Sequence, residues 1–218
     1  MNLKGCIFDL DGVIVDTARF HFLAWKRLAS QLGFDFTEEH NEALKGVSRM
    51  ASLEIMLRVG GITKSKGEME LLAALKNEWY VEYISTMTES DLLPGSIELL
   101  NSLRSKGILT AIGSASRNAR TILEKTKISS LFDVIVDGNK VSRAKPDPEV
   151  FLKGAEEMGL SPDNCIVIED AQSGIEAAIA AGMRCVGIGN HEILGRADLV
   201  VPSISHLTFY QLETLKRK

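Results

Sequence analysis

The sequence predicts an α/β fold, a Rossmann-like parallel sheet core with an inserted all-helical cap. Three observations predict it. From about residue 94 to the end, short apolar runs alternate with helical patterns, which implies a parallel sheet covered on both faces. Residues 17–87 show helical periodicity and no strand. Near the N-terminus, Cys6-Ile7-Phe8 is an apolar run too short for a buried helix and reads as one more buried strand. That strand belongs to the later sheet. Residues 1–16 and 88–218 are therefore expected to form the core and 17–87 the cap. The connections near Val15–Thr17 and Met87–Leu92 are candidate hinges.

Each element has its local reason. Thr17 is a candidate cap for a helix running to about Leu32, with Gly33 as its stop. Along it, His21, Trp25, Leu28 and Leu32 share a face. A second helix starts near Thr37 and ends before Gly46. Ser48 can cap a third, which stops at Gly60-Gly61. A long helix covers about Lys66 to Met87, with Leu72, Leu75 and Trp79 on its buried side and Lys76 beside them. Pro94-Gly95 marks the return to alternating elements. Helices are expected at 97–106, 116–127, 148–158 and 173–181, and from about Leu207. Strands are expected at 108–112, 134–136, 165–168, 184–188 and 199–201. Asp147 caps the helix that has Pro148 at its first position.

Composition bounds the function. The chain has 218 residues, 45% of them hydrophobic and 25% charged, enough for a sizeable core. A net charge of -4 with no long basic run argues against a nucleic-acid partner. No apolar stretch approaches the roughly 18 residues of a membrane span. The first residues lack a signal-peptide pattern. Cys6, Cys165 and Cys185 each sit in an apolar run and in no metal-ligand spacing, so reduced core thiols are expected. The expectation is a cytoplasmic monomer acting on small molecules.

The chemistry lies at the strand ends, where open parallel sheets place ligands. Asp9 and Asp11 leave the first strand two residues apart, and Gly12 lets the chain turn sharply. Two buried acids this close repel unless a cation or a shared proton intervenes. Mg²⁺ suits them because it takes oxygen ligands and leaves places for phosphate oxygens. Asp9 is then a candidate nucleophile and Asp11 a candidate general acid/base. The next strand delivers Gly113-Ser114-Ala115-Ser116 before a helix, a candidate anion site. Pro146 keeps Lys145 out of helix. Another strand ends in Glu169-Asp170. Singly, each feature has an ordinary structural explanation. Together they place four acids, a hydroxyl and an ammonium at one sheet edge.

The string Ile7–Thr17 resembles the first motif of the haloacid dehalogenase-like superfamily, and the full set resembles its four motifs. The resemblance implies that Asp9 is phosphorylated and that Asp11 protonates the leaving oxygen and deprotonates the attacking hydroxyl. It also implies that Ser114 and Lys145 hold the phosphoryl group. Mg²⁺ would be held by Asp9, the carbonyl of Asp11, Glu169 and Asp170.

Within the superfamily the chain resembles the sugar-phosphate mutases. The matching stretches are Asp16-Thr17-Ala18, His21-Phe22, Ala24-Trp25, Lys45-Gly46-Val47-Ser48-Arg49, Ser52-Leu53, Lys76-Asn77, Ser114-Ala115-Ser116 and Asn118. This implies interconversion of β-glucose 1-phosphate and glucose 6-phosphate through β-glucose 1,6-bisphosphate. Thr17 joins the catalytic group. His21, Trp25, Lys45, Gly46, Val47, Ser48, Arg49, Ser52, Lys76, Asn77, Ala115, Ser116 and Asn118 join the substrate contacts. Arg49 is the expected anchor of the distal phosphate, and His21 and Lys76 the expected sugar contacts. Gly113 departs from the commonest pattern, where a small side chain such as alanine precedes the serine. A sugar-phosphate phosphatase of the same fold is the competing reading. A non-catalytic role is disfavoured, because clustered carboxylates without a metal only destabilise.

Overall fold

In the computed structural model, residues 3–44 and 47–218 are described; Lys45 and Gly46, two of the expected substrate contacts, lie outside them. Six strands form one sheet: β1 (Gly5–Phe8), β2 (Leu109–Gly113), β3 (Val134–Val136), β4 (Cys165–Glu169), β5 (Arg184–Ile188) and β6 (Leu199–Val201). Their order is β3-β2-β1-β4-β5-β6, and every pairing is parallel. β1 is central, with Phe8 aligned to Ile112 on one side and Ile168 on the other. The first strand therefore pairs only with partners from the far side of the helical insertion.

Alternation along the strands divides the core. Cys6, Phe8, Ile112, Ile166, Ile168 and Val186 pack on one face with α5 (Ser96–Ser105), α6 (Ala119–Lys125) and α10 (Phe209–Glu213). Ile7, Ala111, Val136, Val167 and Cys185 face the other way, against α7 (Glu149–Glu157), α8 (Gln172–Ala180) and α9 (His191–Leu194). The sheet is therefore a buried middle layer, which explains its unbroken apolar strands. All three cysteines are buried and free.

Between β1 and α5 come four helices: α1 (Ala18–Gln31), α2 (Glu38–Glu42), α3 (Arg49–Val59) and α4 (Lys66–Ile84). Trp25, Leu28, Leu53, Met56, Tyr80 and Ile84 form their shared interior. The two connections to the sheet are tied to each other. Asp16 N–H donates to the Asp91 carbonyl at 2.9 Å and Leu93 N–H to the Ile14 carbonyl at 2.9 Å. An Arg19–Asp91 ion pair spans the same place.

Several boundaries differ from the sequence reading. Thr17 does not cap α1 through its side chain; its hydroxyl donates to Asp11 instead. α4 stops at Ile84 because Ser85 and Thr86 hydroxyls bond the carbonyls of Glu82 and Tyr83. α6 begins at Ala119 because Ser114 Oγ accepts from Ser116 N–H and Ser116 Oγ from Asn118 N–H, which holds that segment in successive turns. Pro148 stands just before α7 rather than inside it, while Asp147 Oδ1 accepts from Glu149 N–H at 3.0 Å. The last helix starts at Phe209, after a single tight turn at 204–206. The single-turn α9 carries too short a pattern to be read from sequence. Among the described residues no helix is long and apolar enough to cross a membrane.

Candidate active site

The C-terminal ends of β1, β2 and β4 bring the chemistry together. β1 runs straight into Asp9, whose N–H donates to the Ile168 carbonyl at 2.9 Å and so keeps sheet register one residue further. Lys145 Nζ lies 2.6 Å from Asp9 Oδ1 and 2.6 Å from Glu169 Oε1, with all three side chains buried. Glu169 Oε2 accepts from Ala171 N–H at 2.7 Å. Burial pushes the Asp9 carboxyl up to about 7; the Lys145 ammonium opposes the shift, while Glu169 and Asp11 add to it. Burial alone would depress Lys145, but the Asp9 and Glu169 carboxylates outweigh it and raise its pKa.

Asp11 takes the Thr17 hydroxyl on Oδ1, and Ser114 Oγ lies 3.5 Å from Oδ2. Burial raises its pKa, with the Thr17 hydrogen bond the main opposing effect. Between the two acids and Asp170 the backbone has to turn without a side chain. Gly12 has φ +79, and a Cβ there would run into the Asp170 carboxylate. Gly174 on α8 does the same for Glu169, since a Cβ would occupy the space of its carboxyl group. Sequence reasoning missed Gly174; only its closeness to Glu169 in space distinguishes it.

A divalent cation suits this donor set. Asp9 and Glu169 share one buried ammonium, Asp11 and Asp170 follow the same two strand ends, and burial, with Glu169 and Asp11 adding to it, raises the Asp9 pKa. Among the described residues no three such groups already converge on one ion-sized point, and Lys145 bridges Asp9 and Glu169.

A second cluster comes from the helical layer. Lys76 is 2% exposed. Its Nζ lies 3.0 Å from His21 Nδ1, 4.5 Å from the Trp25 ring centroid and 4.7 Å from that of Tyr80. Burial and then Arg49 lower its pKa to about 7, with Asp11 opposing both. His21 is driven well below its usual range by burial, Lys76 and Arg49, which favours the neutral imidazole beside the Lys76 amine.

A third group spans the two layers. Arg49 opens α3, and Arg117 stands in the Ser116–Asn118 turn close enough to lower the Arg49 pKa, second only to burial. Neither has a carboxylate within ion-pair distance among the described residues. Asn118 Nδ2 donates to Asn77 Oδ1 at 3.0 Å, joining α4 to the loop after β2. Arg117 was not singled out from sequence, although a cation between Ser116 and Asn118 is a usable signal. Other expected contacts do local structural work: Ser48 Oγ caps α3 by accepting from Ala51 N–H, and Ser52 is buried beneath that helix start. Val47 is half-buried beside it, and the Ala115 carbonyl packs against Gly138.

Fold and site together define an α/β enzyme that gathers carboxylates and a buried ammonium at the C-terminal edge of a parallel sheet. The chain belongs to the haloacid dehalogenase-like hydrolase family, whose model matches residues 6–188. It is 46% identical to the β-phosphoglucomutase of Bacillus subtilis (strain 168), over 94% of this chain and 92% of that one. It is 32% identical to a phosphorylated carbohydrates phosphatase of Thermotoga maritima, over 93% of each. Its fold superposes on the crystal structure of a β-phosphoglucomutase from Clostridium difficile with a TM-score of 0.91 and 44% identity, covering 96% of this chain and 95% of that one. A Mg²⁺ requirement goes with such family members in general.

Proposed function

We propose that this chain is a β-phosphoglucomutase, interconverting β-glucose 1-phosphate and glucose 6-phosphate through β-glucose 1,6-bisphosphate. The observation that carries this reading is the distribution of charge across the cleft. On the core side an acid pair faces a buried ammonium; apart from it, Arg49 from the helical layer and Arg117 from the sheet layer act on each other, with no carboxylate within ion-pair distance of either among the described residues. Two guanidinium groups so placed repel unless an anion joins them. A substrate with two phosphates, one at each end of a sugar, would present one to the Lys145 ammonium and the other to the arginine pair. The identity to the Bacillus subtilis enzyme supports the same assignment.

In this mechanism Asp9 is the nucleophile and carries the phosphoryl group. Asp11 removes the proton from the attacking 6-hydroxyl and later returns one to the leaving 1-oxygen. Thr17 fixes the Asp11 carboxylate in place. Lys145 and Ser114 hold the oxygens of the transferring group, where charge neutralisation matters most. Mg²⁺, held by Asp9, the Asp11 carbonyl, Glu169 and Asp170, supplies charge compensation when bound. The bisphosphate leaves its first orientation and returns with the other phosphate toward Asp9, while Arg49, Arg117, Ser116 and Asn118 hold the distal one. His21 and Lys76 contact the sugar, against Trp25. Helices α1–α4, the region 17–87, act as the cap and keep water from the aspartyl-phosphate. One chain carries every group required, so a monomer suffices.

A phosphorus NMR time course with β-glucose 1-phosphate and Mg²⁺ tests this. Glucose 6-phosphate and a transient bisphosphate are expected. Accumulation of inorganic phosphate in place of glucose 6-phosphate would make the chain a phosphatase and sink the mutase reading.

A further inference from the structure

Tyr80 lies on the buried side of α4 and is 1% exposed. Its Oη makes no hydrogen bond among the described residues. The ring packs on His21, with centroids 4.1 Å apart and planes inclined at 30°, and lies under the Lys76 ammonium. The Thr17 hydroxyl, already donating to Asp11, lies close enough to act on the phenol but outside good hydrogen-bond geometry, and Asp11 and Arg49 act on it as well. A buried hydroxyl without a partner costs about 1–3 kcal/mol. Phenylalanine would fill the same space without that cost, so packing of the free protein does not account for the oxygen. Its position does. It sits where α4, His21 and the Thr17–Asp11 pair meet, among the groups assigned above to the sugar.

We propose that Tyr80 is a substrate-binding residue whose Oη exchanges a hydrogen bond with a ring hydroxyl of the sugar phosphate. This rests on the proposed function and adds a sugar contact to it. A hydroxyl is the better partner than a phosphate, because a neutral phenol both donates and accepts, as a sugar hydroxyl does. The phosphates have cations of their own in Lys145, Arg49 and Arg117. A site built to pair a hydroxyl discriminates against sugars that lack it, since its own polar atom is then left buried and alone.

The test compares the full chain with Tyr80→Phe. Titration calorimetry measures glucose 6-phosphate and, separately, inorganic phosphate; thermal melting is followed without ligand. Glucose 6-phosphate should bind roughly tenfold more weakly to the variant. Inorganic phosphate affinity should be unchanged, and the unliganded melting temperature equal or higher. Unchanged glucose 6-phosphate affinity overturns the proposal, as does an equal loss for both ligands or a lowered melting temperature. A second measurement needs no variant: among the 2-, 3- and 4-deoxy analogues of glucose 6-phosphate, one should bind the parent roughly tenfold more weakly. In Tyr80→Phe that penalty should vanish; a penalty that persists in full overturns the assignment. If the parent binds the sugar phosphate through Tyr80 but does not interconvert it, the mutase reading falls and the Tyr80 contact stands.

Discussion

Lys76 shows how far this protein trades stability for a site. A buried ammonium with no carboxylate on it is costly, and its pKa near 7 measures that cost. The folded value lies below the unfolded value of about 10.4. Between about pH 7 and pH 10 the unfolded chain therefore binds more protons at this site, and stability rises with pH. Below about pH 7 the full cost is present. Lys76→Met is expected to raise the stability of the unliganded protein at pH 6, by on the order of a few kcal/mol. It should also flatten the rise between pH 7 and 10 and weaken binding of sugar phosphates. Denaturant titrations at several pH values, with a glucose 6-phosphate binding curve, check both parts. Asp11 gives a complementary expectation. In the proposed mechanism its side chain transfers protons and only its backbone carbonyl would meet the metal, so Asp11→Asn should keep Mg²⁺ binding and slow turnover by roughly 10² or more. Calorimetry with Mg²⁺ and steady-state rates on one preparation test this; a variant turning over at the parent rate refutes it.

Among the elements, α8 and α4 offer a contrast between two helical glycines. Gly174 sits in the first turns of α8 with the Glu169 carboxylate where its side chain would be. Gly67, near the start of α4, has open space there. Gly174→Ala should push Glu169 off Lys145, with a loss of about 1–3 kcal/mol from overpacking and a large fall in turnover. Gly67→Ala should be neutral or stabilising by up to about 1 kcal/mol, because alanine only restricts the unfolded chain. Melting temperatures and rates of the two variants decide it, and equal effects would mean that the contact at Gly174 relaxes freely. The same logic applies to the turn after β1. Position 12 is a glycine because Asp170, at the end of the adjacent strand, needs the space.

The helical and sheet layers meet at Arg49 and Arg117, where the proposed distal anion anchor would lie. Arg49 comes from the helical layer and Arg117 from the sheet layer, with Asn77 and Asn118 joining the two nearby. Arg49→Ala is expected to weaken β-glucose 1-phosphate and bisphosphate binding by about 1.5–3 kcal/mol, the range for a hydrogen bond to a charged group. Hydrolysis of acetyl phosphate, which has no distal phosphate, should hardly change. The variant's products should then shift from mutase toward phosphatase. Mutase flux and acetyl phosphate hydrolysis measured side by side check this, and equal losses in both would make Arg49 a support of the helical layer.

Much of this molecule is legible in its amino-acid sequence. The α/β class follows from strand and helix periodicity. Asp9, Asp11, Ser114, Lys145, Glu169 and Asp170 can be placed at one edge because each directly follows a strand or its loop, and parallel strands end together. Those are short-range facts: an alternation, a turn residue, a proline after a lysine. Other features are not legible. Thr17 looks like a helix cap until Asp11 is found beside its hydroxyl. Arg117, Tyr80 and Gly174 look ordinary until Arg49, His21 and Glu169 are found against them. Sequence by itself determined which backbone elements form and which acids they deliver, because hydrogen-bond geometry and apolar spacing act within a few residues. Only the tertiary structure decided which buried charges share partners and which are left for a ligand, because that depends on distances between segments that meet only when the helical layer lies over the sheet.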